Sequence, residues 1–204
     1  MKYILNDISN EKLKKLDIKK YTKNDLLYLR DYSSFSFQKL EKEIEEIGRL
    51  SSEDQKLYGT LTSINNIIDQ NYTLYCLIIE NNLIGILKIG SKNLYLYDKK
   101  NLHYQRCTCV LDFYILNNFQ KMGLGIKLFN FMLKDNNIAP SKLCYDNPSK
   151  KLQNFLKKYF SPCNLIKQPN NFVIFSEYFD SSLEYFNRNY ANIENRNENT
   201  MRCA

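Results

Sequence analysis

The chain has 204 residues, of which 44% are hydrophobic, and a formal charge of +7. This composition is typical of a globular chain that can bury a sizeable core, and it excludes disorder of the whole. The positive charge suits an anionic cofactor, an acidic protein surface or nucleic acid, and it does not choose among them. A solvated basic surface remains an alternative.

Apolar segments of the length needed for a membrane span, about 20 residues, are not found in the sequence. Residues 1–7 also lack the long apolar region of a signal peptide. We therefore expect a cytoplasmic location. We also expect a monomer that binds neither membranes nor nucleic acid.

Six cysteines lie mostly in apolar, strand-like segments, without a paired C-x-x-C arrangement: Cys76, Cys107, Cys109, Cys144, Cys163 and Cys203. Reduced, largely buried thiols are therefore expected. Cys107 and Cys109 share a strand face, but no second ligand pair is visible and His103 is the only histidine. The sequence predicts no metal site.

The first half of the chain predicts a strand, two helices and the start of a meander. Residues 1–8 suggest a short strand, and the lysine-rich segment up to Ser34 gives no firm pattern. One amphipathic helix is indicated by Phe37, Leu40, Ile44 and Ile47, with Gly48 as its C-cap. A second helix is predicted to begin at Ser52 and Glu53, with apolar positions Leu57, Leu61, Ile64 and Ile68.

Strand-like runs follow at residues 72–80 and 83–90, separated by Asn81 and Asn82, which favour a tight hairpin turn. Residues 94–97 extend this meander, and residues 106–116 form the strongest strand. In that strand Cys109 and Asp112 fall on opposite faces, so both can serve one site only if a bulge re-aims one of them.

A glycine loop joins this strand to the next helix, which runs to about Lys134. The loop reads Gln120, Lys121, Met122, Gly123, Leu124 and Gly125. Two glycines just before a helix let the backbone approach an anion, towards which the helix N-terminus directs N–H groups. An ordinary tight turn is the alternative. The loop lacks the third glycine of a dinucleotide fold and the Gly-Lys-Ser/Thr of a nucleotide-triphosphate loop.

The last third of the chain predicts a short buried strand at residues 143–145 that ends at Asp146. A helix is expected next, with Asn147 as N-cap and Pro148 at its first position. Its apolar face contains Leu152, Phe155, Leu156 and Tyr159. A final strand at residues 172–175 completes a domain of residues 1–180, and residues 181–204 are expected to be a polar tail.

Strands followed by helix, strand, helix and strand predict an α/β fold. Four ordered motifs carry a resemblance to a known family: C-V-L-D-F-Y-I, Q-x-x-G-x-G, D-N-P-S-K-K-L-Q-N-F-L and N-N-F-V-I-F. The chain resembles the α-tubulin N-acetyltransferase family of the GNAT superfamily. The resemblance implies a central mixed, mostly antiparallel sheet flanked by helices on both faces. It also implies acetyl-CoA-dependent acetylation of the luminal lysine of α-tubulin in microtubules.

An enzyme of this type needs a base, because a lysine amine with a pKa of about 10.4 attacks only when neutral. Asp146 suits this role as a lone carboxylate at a strand end, although it could simply form a turn or cap. The resemblance implies catalytic roles for Asp146, Cys109 and Gln55. For Cys109 packing is the alternative, and for Gln55 an ordinary solvated surface position.

The resemblance also implies cofactor contacts along the strand, the loop and the following helix. The matched positions are Phe113, Tyr114, Ile115, Gln120, Lys121, Met122, Gly123, Leu124, Gly125, Ile126, Ser149, Lys150, Lys151 and Lys158. Two departures from the family are Lys121 and Asn147, where arginine is frequent. The second removes a positive neighbour of Asp146. Two alternatives remain open: a GNAT enzyme for another protein or small amine, and a non-catalytic microtubule-binding protein.

Overall fold

A computed structural model of the chain describes residues 15–98, 100–160 and 164–180. The strand predicted at residues 1–8 and the tail at residues 181–204 lie outside this part. The elements in chain order are β1 (Leu16–Tyr21), α1 (Lys23–Tyr32), α2 (Ser34–Asp54), α3 (Ile64–Asp69), β2 (Thr73–Ile79), β3 (Asn82–Tyr97), β4 (Leu102–Ile115), α4 (Leu124–Asn136), β5 (Cys144–Asp146), α5 (Lys150–Tyr159), β6 (Leu165–Lys167) and β7 (Phe172–Phe175).

The strands form one sheet of seven strands in the order β1-β2-β3-β4-β5-β7-β6. All neighbours are antiparallel except β4 and β5, which are parallel. Helices cover both faces. Asp112 of β4 is hydrogen-bonded to Ser51 of α2, whereas the next residue, Phe113, packs against Phe129 of α4. Successive strand residues point to opposite faces, so the predicted mixed, mostly antiparallel α/β fold is confirmed.

The segment before Ser34, for which the sequence gives no firm pattern, contains β1 and α1. β1 pairs with β2 along its whole length. α1 begins with a capping box, in which Thr22 and Asp25 each bond the backbone N–H of the other. Within the described residues, no helix is both long and apolar enough to cross a membrane.

The prediction that the first long helix ends at Gly48 is wrong. α2 continues to Asp54, and its C-cap is Gln55. A Cβ atom at Gly48 would lie 2.0 Å from the carbonyl oxygen of Thr62. The glycine is therefore needed for the close approach of the connection after α2.

The predicted start of the second helix at Ser52 and Glu53 is also wrong. Both residues belong to α2, which ends before Lys56, a residue with φ of 57°. α3 begins only after Ser63, whose side chain accepts from the N–H of Asn66 at 3.1 Å. Leu57 and Leu61 consequently lie in the connection between the helices.

The predicted meander is confirmed, with longer strands. Glu80 and Asn81 have φ of 49° and 63°, as a tight hairpin turn requires. The turn thus lies one residue before the predicted one, because Asn82 already pairs with Ile79. β3 joins the two predicted runs into one strand of 16 residues, and β4 begins at Leu102 rather than at residue 106.

The predicted cap of α5 is wrong by two residues. Asn147 has φ of 36°, and its N–H donates to the carbonyl of Asn171, so the chain turns once more after β5. The N-cap is Ser149, whose hydroxyl accepts from the N–H of Leu152. Pro148 therefore precedes the helix.

Candidate functional site

The two parallel strands at the centre of the sheet stay together only briefly. β4 and β5 pair at Cys109 with Cys144 and at Val110 with Tyr145. β5 ends at Asp146, while β4 continues to Ile115. Among the described strands, none pairs with this edge of β4 at residues 111–115. Its backbone groups can therefore bind an extended ligand in the cleft that opens between the two strands.

A bulge in β4 places Asp112 on the same face of the sheet as Cys109, and Asp146 lies on that face too. Gly90 of β3 pairs with Cys109, and Lys88 pairs with Asp112, so one extra residue is inserted in β4. Because Lys88 and Gly90 are two positions apart, their partners point to the same face. Asp146 shares this face, being two residues after Cys144, the partner of Cys109. The condition that Cys109 and Asp112 needed to serve one site is met.

Asp146 lies at the end of β5 with its side chain 34% exposed. The Nζ atom of Lys92 on β3 is 3.7 Å from its carboxylate. The positive neighbour that is missing at Asn147 is therefore supplied by a strand far away in sequence. Sequence reasoning missed Lys92, because only the strand register brings it to Asp146.

Cys109 is fully buried, and its thiol donates to the carbonyl of Cys107 at 3.5 Å. Contact with the Cys109 thiol, together with burial, raises the pKa of Cys144. Burial raises the pKa of Cys107 to about 11. The two cysteines that neighbour Cys109 therefore stay protonated at neutral pH.

All four described cysteines are free and buried, as predicted for reduced thiols: Cys76, Cys107, Cys109 and Cys144. Cys163 and Cys203 lie outside the described residues. His103 contacts Asp98 at 2.7 Å, far along the β3–β4 hairpin from Cys109. In the described part of the chain, no three potential metal ligands come together.

Asp112 lies 4% exposed beneath the end of α2. Its Oδ1 accepts from Ser51 at 2.9 Å and from Nε2 of Gln55 at 3.4 Å, and its Oδ2 accepts from Thr62 at 2.6 Å. The structure thus brings Gln55 to the same face as Asp146. Asp112 therefore acts as a hydrogen-bond acceptor for three side chains.

Lys88 is a second buried charge, which sequence reasoning missed. It is 3% exposed, its Nζ donates to the carbonyl of Leu61 and to Asn66, and it lies 5.5 Å from the centre of the Tyr72 ring. Burial lowers its pKa to about 8, although the charge of Asp112 opposes that shift. A lysine inside the apolar run of residues 83–90 is the signal that could have found it.

The glycine loop has the geometry of an anion site. Gly123 caps α4 with φ of 73° and no side-chain capping bond, and a Cβ atom there would meet open space. Lys121 is exposed with φ of 64°. Gln120 holds the loop by donating to the carbonyl of Ile115 at 2.8 Å. Gly125 serves packing, because a Cβ atom would lie 3.2 Å from Phe113.

Most other predicted cofactor positions place their side chains in the core. Tyr114, Ile115, Leu124 and Ile126 are buried, and Phe113 packs against Phe129 and Phe155. Burial, followed by the charges of Asp54 and Glu53, raises the pKa of Tyr114. These positions can therefore meet a ligand chiefly through their backbone groups, whereas Met122 is exposed.

The predicted positions on α5 differ in their surroundings. Ser149 caps the helix, Lys150 is exposed, and Nζ of Lys158 lies 5.0 Å from the centre of the Tyr159 ring. Nζ of Lys151 contacts both carboxylate oxygens of Asp54 at 2.8 and 2.7 Å. This ion pair connects the end of α2 to the start of α5.

Comparison with known proteins identifies the family of the chain. Residues 1–203 match the family described as GNAT acetyltransferase, Mec-17. The α-tubulin N-acetyltransferase of Plasmodium falciparum is 71% identical over 164 residues, which cover 80% of this chain and 89% of that protein. α-Tubulin N-acetyltransferase 1 of Danio rerio is 39% identical over 145 residues, covering 68% and 49%.

Among solved structures, the chain is similar to a predicted acetyltransferase from Clostridium acetobutylicum determined with acetyl-CoA. The identity is 15%, the TM-score is 0.45, and the similarity covers 71% of this chain and 88% of that one. The family match spans nearly the whole chain, and the identity to the Plasmodium falciparum relative is high. The chain belongs to the Mec-17 family of GNAT acetyltransferases.

Proposed function

We propose that the chain is an acetyl-CoA-dependent lysine N-acetyltransferase in the cytoplasm that acetylates the luminal lysine of α-tubulin in microtubules. The names of its curated relatives support the substrate. The observation that carries the chemistry is the placement of Asp146. Its partly exposed carboxylate lies at the end of β5, beside the free edge of β4 and on the face that Gln55 reaches.

The residues around the cleft fit an acetyl-CoA molecule. The open space at Gly123, the uncapped start of α4 and the exposed Lys121 suit a pyrophosphate. Lys150 and Lys158 on α5 add positive charge on one side of the cleft. When bound, acetyl-CoA supplies the acetyl group as a thioester.

Asp146 is proposed as the base that takes a proton from the lysine ammonium of the substrate. It is accessible, whereas Cys109 is fully buried and bonded to a backbone carbonyl. The Nζ atom of Lys92 is 3.7 Å from this carboxylate. The neutral amine then attacks the acetyl carbon directly. The bond between that carbon and sulfur breaks, and CoA leaves as its thiol with the second proton of the amine. In this mechanism Cys109 lines the site and forms no covalent intermediate.

Backbone N–H groups on the free edge of β4, within residues 113–115, are proposed to stabilise the charge that develops on the acetyl oxygen. Such donors are fixed before the reaction and need no reorganisation. The packing of Phe113 against two helices keeps this stretch of backbone rigid. The bulge in β4 directs Asp112 and Cys109 to the same face without breaking the strand.

The function is tested by incubating the purified chain with labelled acetyl-CoA and microtubules and mapping the labelled lysines. We expect label on one α-tubulin lysine that faces the lumen. Histone peptides and polyamines serve as competing amine substrates in the same assay. Faster transfer to either would contradict the assignment to tubulin. Tubulin binding without turnover of acetyl-CoA would contradict the enzymatic function.

A further inference from the structure

The amide of Gln55 is held by two oxygen atoms beneath the end of α2. Its Nε2 donates to Oγ of Ser51 at 3.0 Å and to Oδ1 of Asp112 at 3.4 Å. Gln55 is only partly buried, so the other end of the amide is directed away from these partners. An amide has one end that donates and one that accepts, and the two ends are nearly isosteric. Its neighbours therefore decide which end is presented to the cleft.

The hydrogen bonds of Asp112 determine this choice. An ionised carboxylate only accepts, and Asp112 takes the hydroxyl protons of Ser51 at 2.9 Å and of Thr62 at 2.6 Å. Because Ser51 has a single hydroxyl proton and donates it to Asp112, its oxygen can only accept from Gln55. Both neighbours of the amide are thus acceptors, and the NH2 end must face them.

We propose that Asp112 is a positioning residue that fixes the orientation of the Gln55 amide, so that Oε1 is presented to the amine of the substrate. This inference rests on the acetyltransferase function proposed above. A lysine side chain brings N–H donors to the site, which a carbonyl oxygen can accept and an NH2 group cannot. Asp112 itself touches neither substrate nor cofactor.

Lys88 of β3 is the cross-strand neighbour of Asp112. The two residues are directly paired across β3 and β4, and both are almost fully buried. Lys88 also donates to the carbonyl of Leu61, and Asp112 accepts from the next residue, Thr62. Both side chains therefore stabilise the connection between α2 and α3. The carboxylate of Asp112, which can only accept hydrogen bonds, can therefore lie beneath Gln55 although it is buried.

The substitution Asp112→Asn tests the orientation with little change of volume. An asparagine can donate to Ser51, which frees the Ser51 proton for Oε1 of Gln55 and allows the amide to turn over. We expect kcat/KM for the amine substrate to fall about tenfold, as for loss of a hydrogen bond to a charged group. The KM for acetyl-CoA should stay within about twofold, because Asp112 does not face the cofactor loop.

A double variant separates positioning from stability. In a Gln55→Ala background there is no amide to orient, so adding Asp112→Asn should change kcat/KM by less than about twofold. Tyr75→Phe is the matched control, because it removes a short, partly buried hydrogen bond, to Asp135 at 2.6 Å, on another part of the sheet. It should lower stability without changing kcat/KM. Losses that multiply in the double variant would overturn the proposal, as would full activity of Asp112→Asn.

The side-chain amide signals of Gln55 in ¹⁵N NMR spectra provide a readout that does not depend on turnover. They are assigned by their loss in Gln55→Ala. In the wild-type chain we expect these signals at chemical shifts typical of an amide that donates to a carboxylate. In Asp112→Asn we expect them to lose that displacement. Signals that are identical in the two proteins would overturn the orientation. A wild-type chain with these signals but no acetyl transfer would instead contradict the proposed function.

Discussion

Asp112 and Asp146 lie on the same face of one sheet, yet their surroundings differ sharply. Asp112 is 4% exposed and accepts from three side chains, and Lys88 is paired with it on the neighbouring strand. The side chain of Asp146 is 34% exposed and has Lys92 at 3.7 Å. If Asp146 is the base, as proposed, a carboxylate on the site face is not enough for base catalysis. A base must be accessible to the substrate. A carboxylate whose oxygen atoms already accept several hydrogen bonds is better suited to position the side chains around it.

The largest effect, on kcat, is expected at Asp146, the more exposed of the two carboxylates. Asp146→Asn should lower kcat by about 100-fold or more, the usual contribution of a general base. Its unfolding free energy should change by only about 0.5 kcal/mol, because the side chain is partly exposed. Steady-state kinetics and chemical denaturation measure both. The exposed Asp31→Asn is the control, and an equal loss of kcat there would contradict the assignment.

The second prediction concerns the connection that Asp112 holds through Thr62. In Gly48→Ala a Cβ atom would lie 2.0 Å from the carbonyl oxygen of Thr62, and backbone cannot easily move away. We expect a loss of about 3 kcal/mol of unfolding free energy, at the upper end for overpacking. Denaturant unfolding measures it. Without the close contact, alanine inside a helix should be more stable than glycine, so an unchanged or higher unfolding free energy would contradict the steric explanation.

The third prediction uses the pKa of Lys88, which burial lowers to about 8. Between about pH 8 and 10.5 the unfolded chain binds more protons at this lysine than the folded chain does, so the free energy of unfolding rises with pH. Lys88→Met lacks this contribution. The stability difference, wild type minus variant, should grow by about 2 kcal/mol between pH 7.5 and 9.5. Parallel stability curves would show that folding does not lower the pKa of Lys88.

The smallest effect is expected at the ion pair that joins the two sides of the cleft. Asp54 precedes Gln55, and Lys151 follows Asp146 by five residues. Exposed pairs contribute little to stability. Asp54→Asn should release Lys151 for a cofactor phosphate and lower the KM for acetyl-CoA about twofold, whereas Lys151→Met should raise it about twofold. Kinetics at low and high salt measure this. Equal KM values in both variants would exclude Lys151 from cofactor binding.

Much of the fold could be predicted because its signals are local. The alternation in β4, the glycine loop and the apolar face of α5 are each readable within about a dozen residues. The errors at Gly48 and Asn147 have one cause. The conformation at Gly48 depends on Thr62, and that at Asn147 depends on Asn171. Both contacts are with distant segments, so no local sequence pattern predicts them.

The position of a candidate residue was predictable where a local pattern sets it, as with Asp146 at the end of β5. Lys88 and Lys92 were missed, because their roles depend on the register between β3 and its neighbours. From the sequence, the bulge in β4 could be named only as a condition for Cys109 and Asp112 to serve one site. It places Cys109 and Asp112 on one face through a single unpaired residue, which composition and spacing do not specify.

The pH dependence of kcat/KM for Asp146→Asn tests the central claim most directly. Without a base, attack requires an amine that has already lost its proton. The rate of the variant should therefore rise about tenfold per pH unit towards the lysine pKa of about 10.4, and approach that of the wild type. A variant with the same magnitude and pH profile as the wild-type chain would contradict the role of Asp146 as the base.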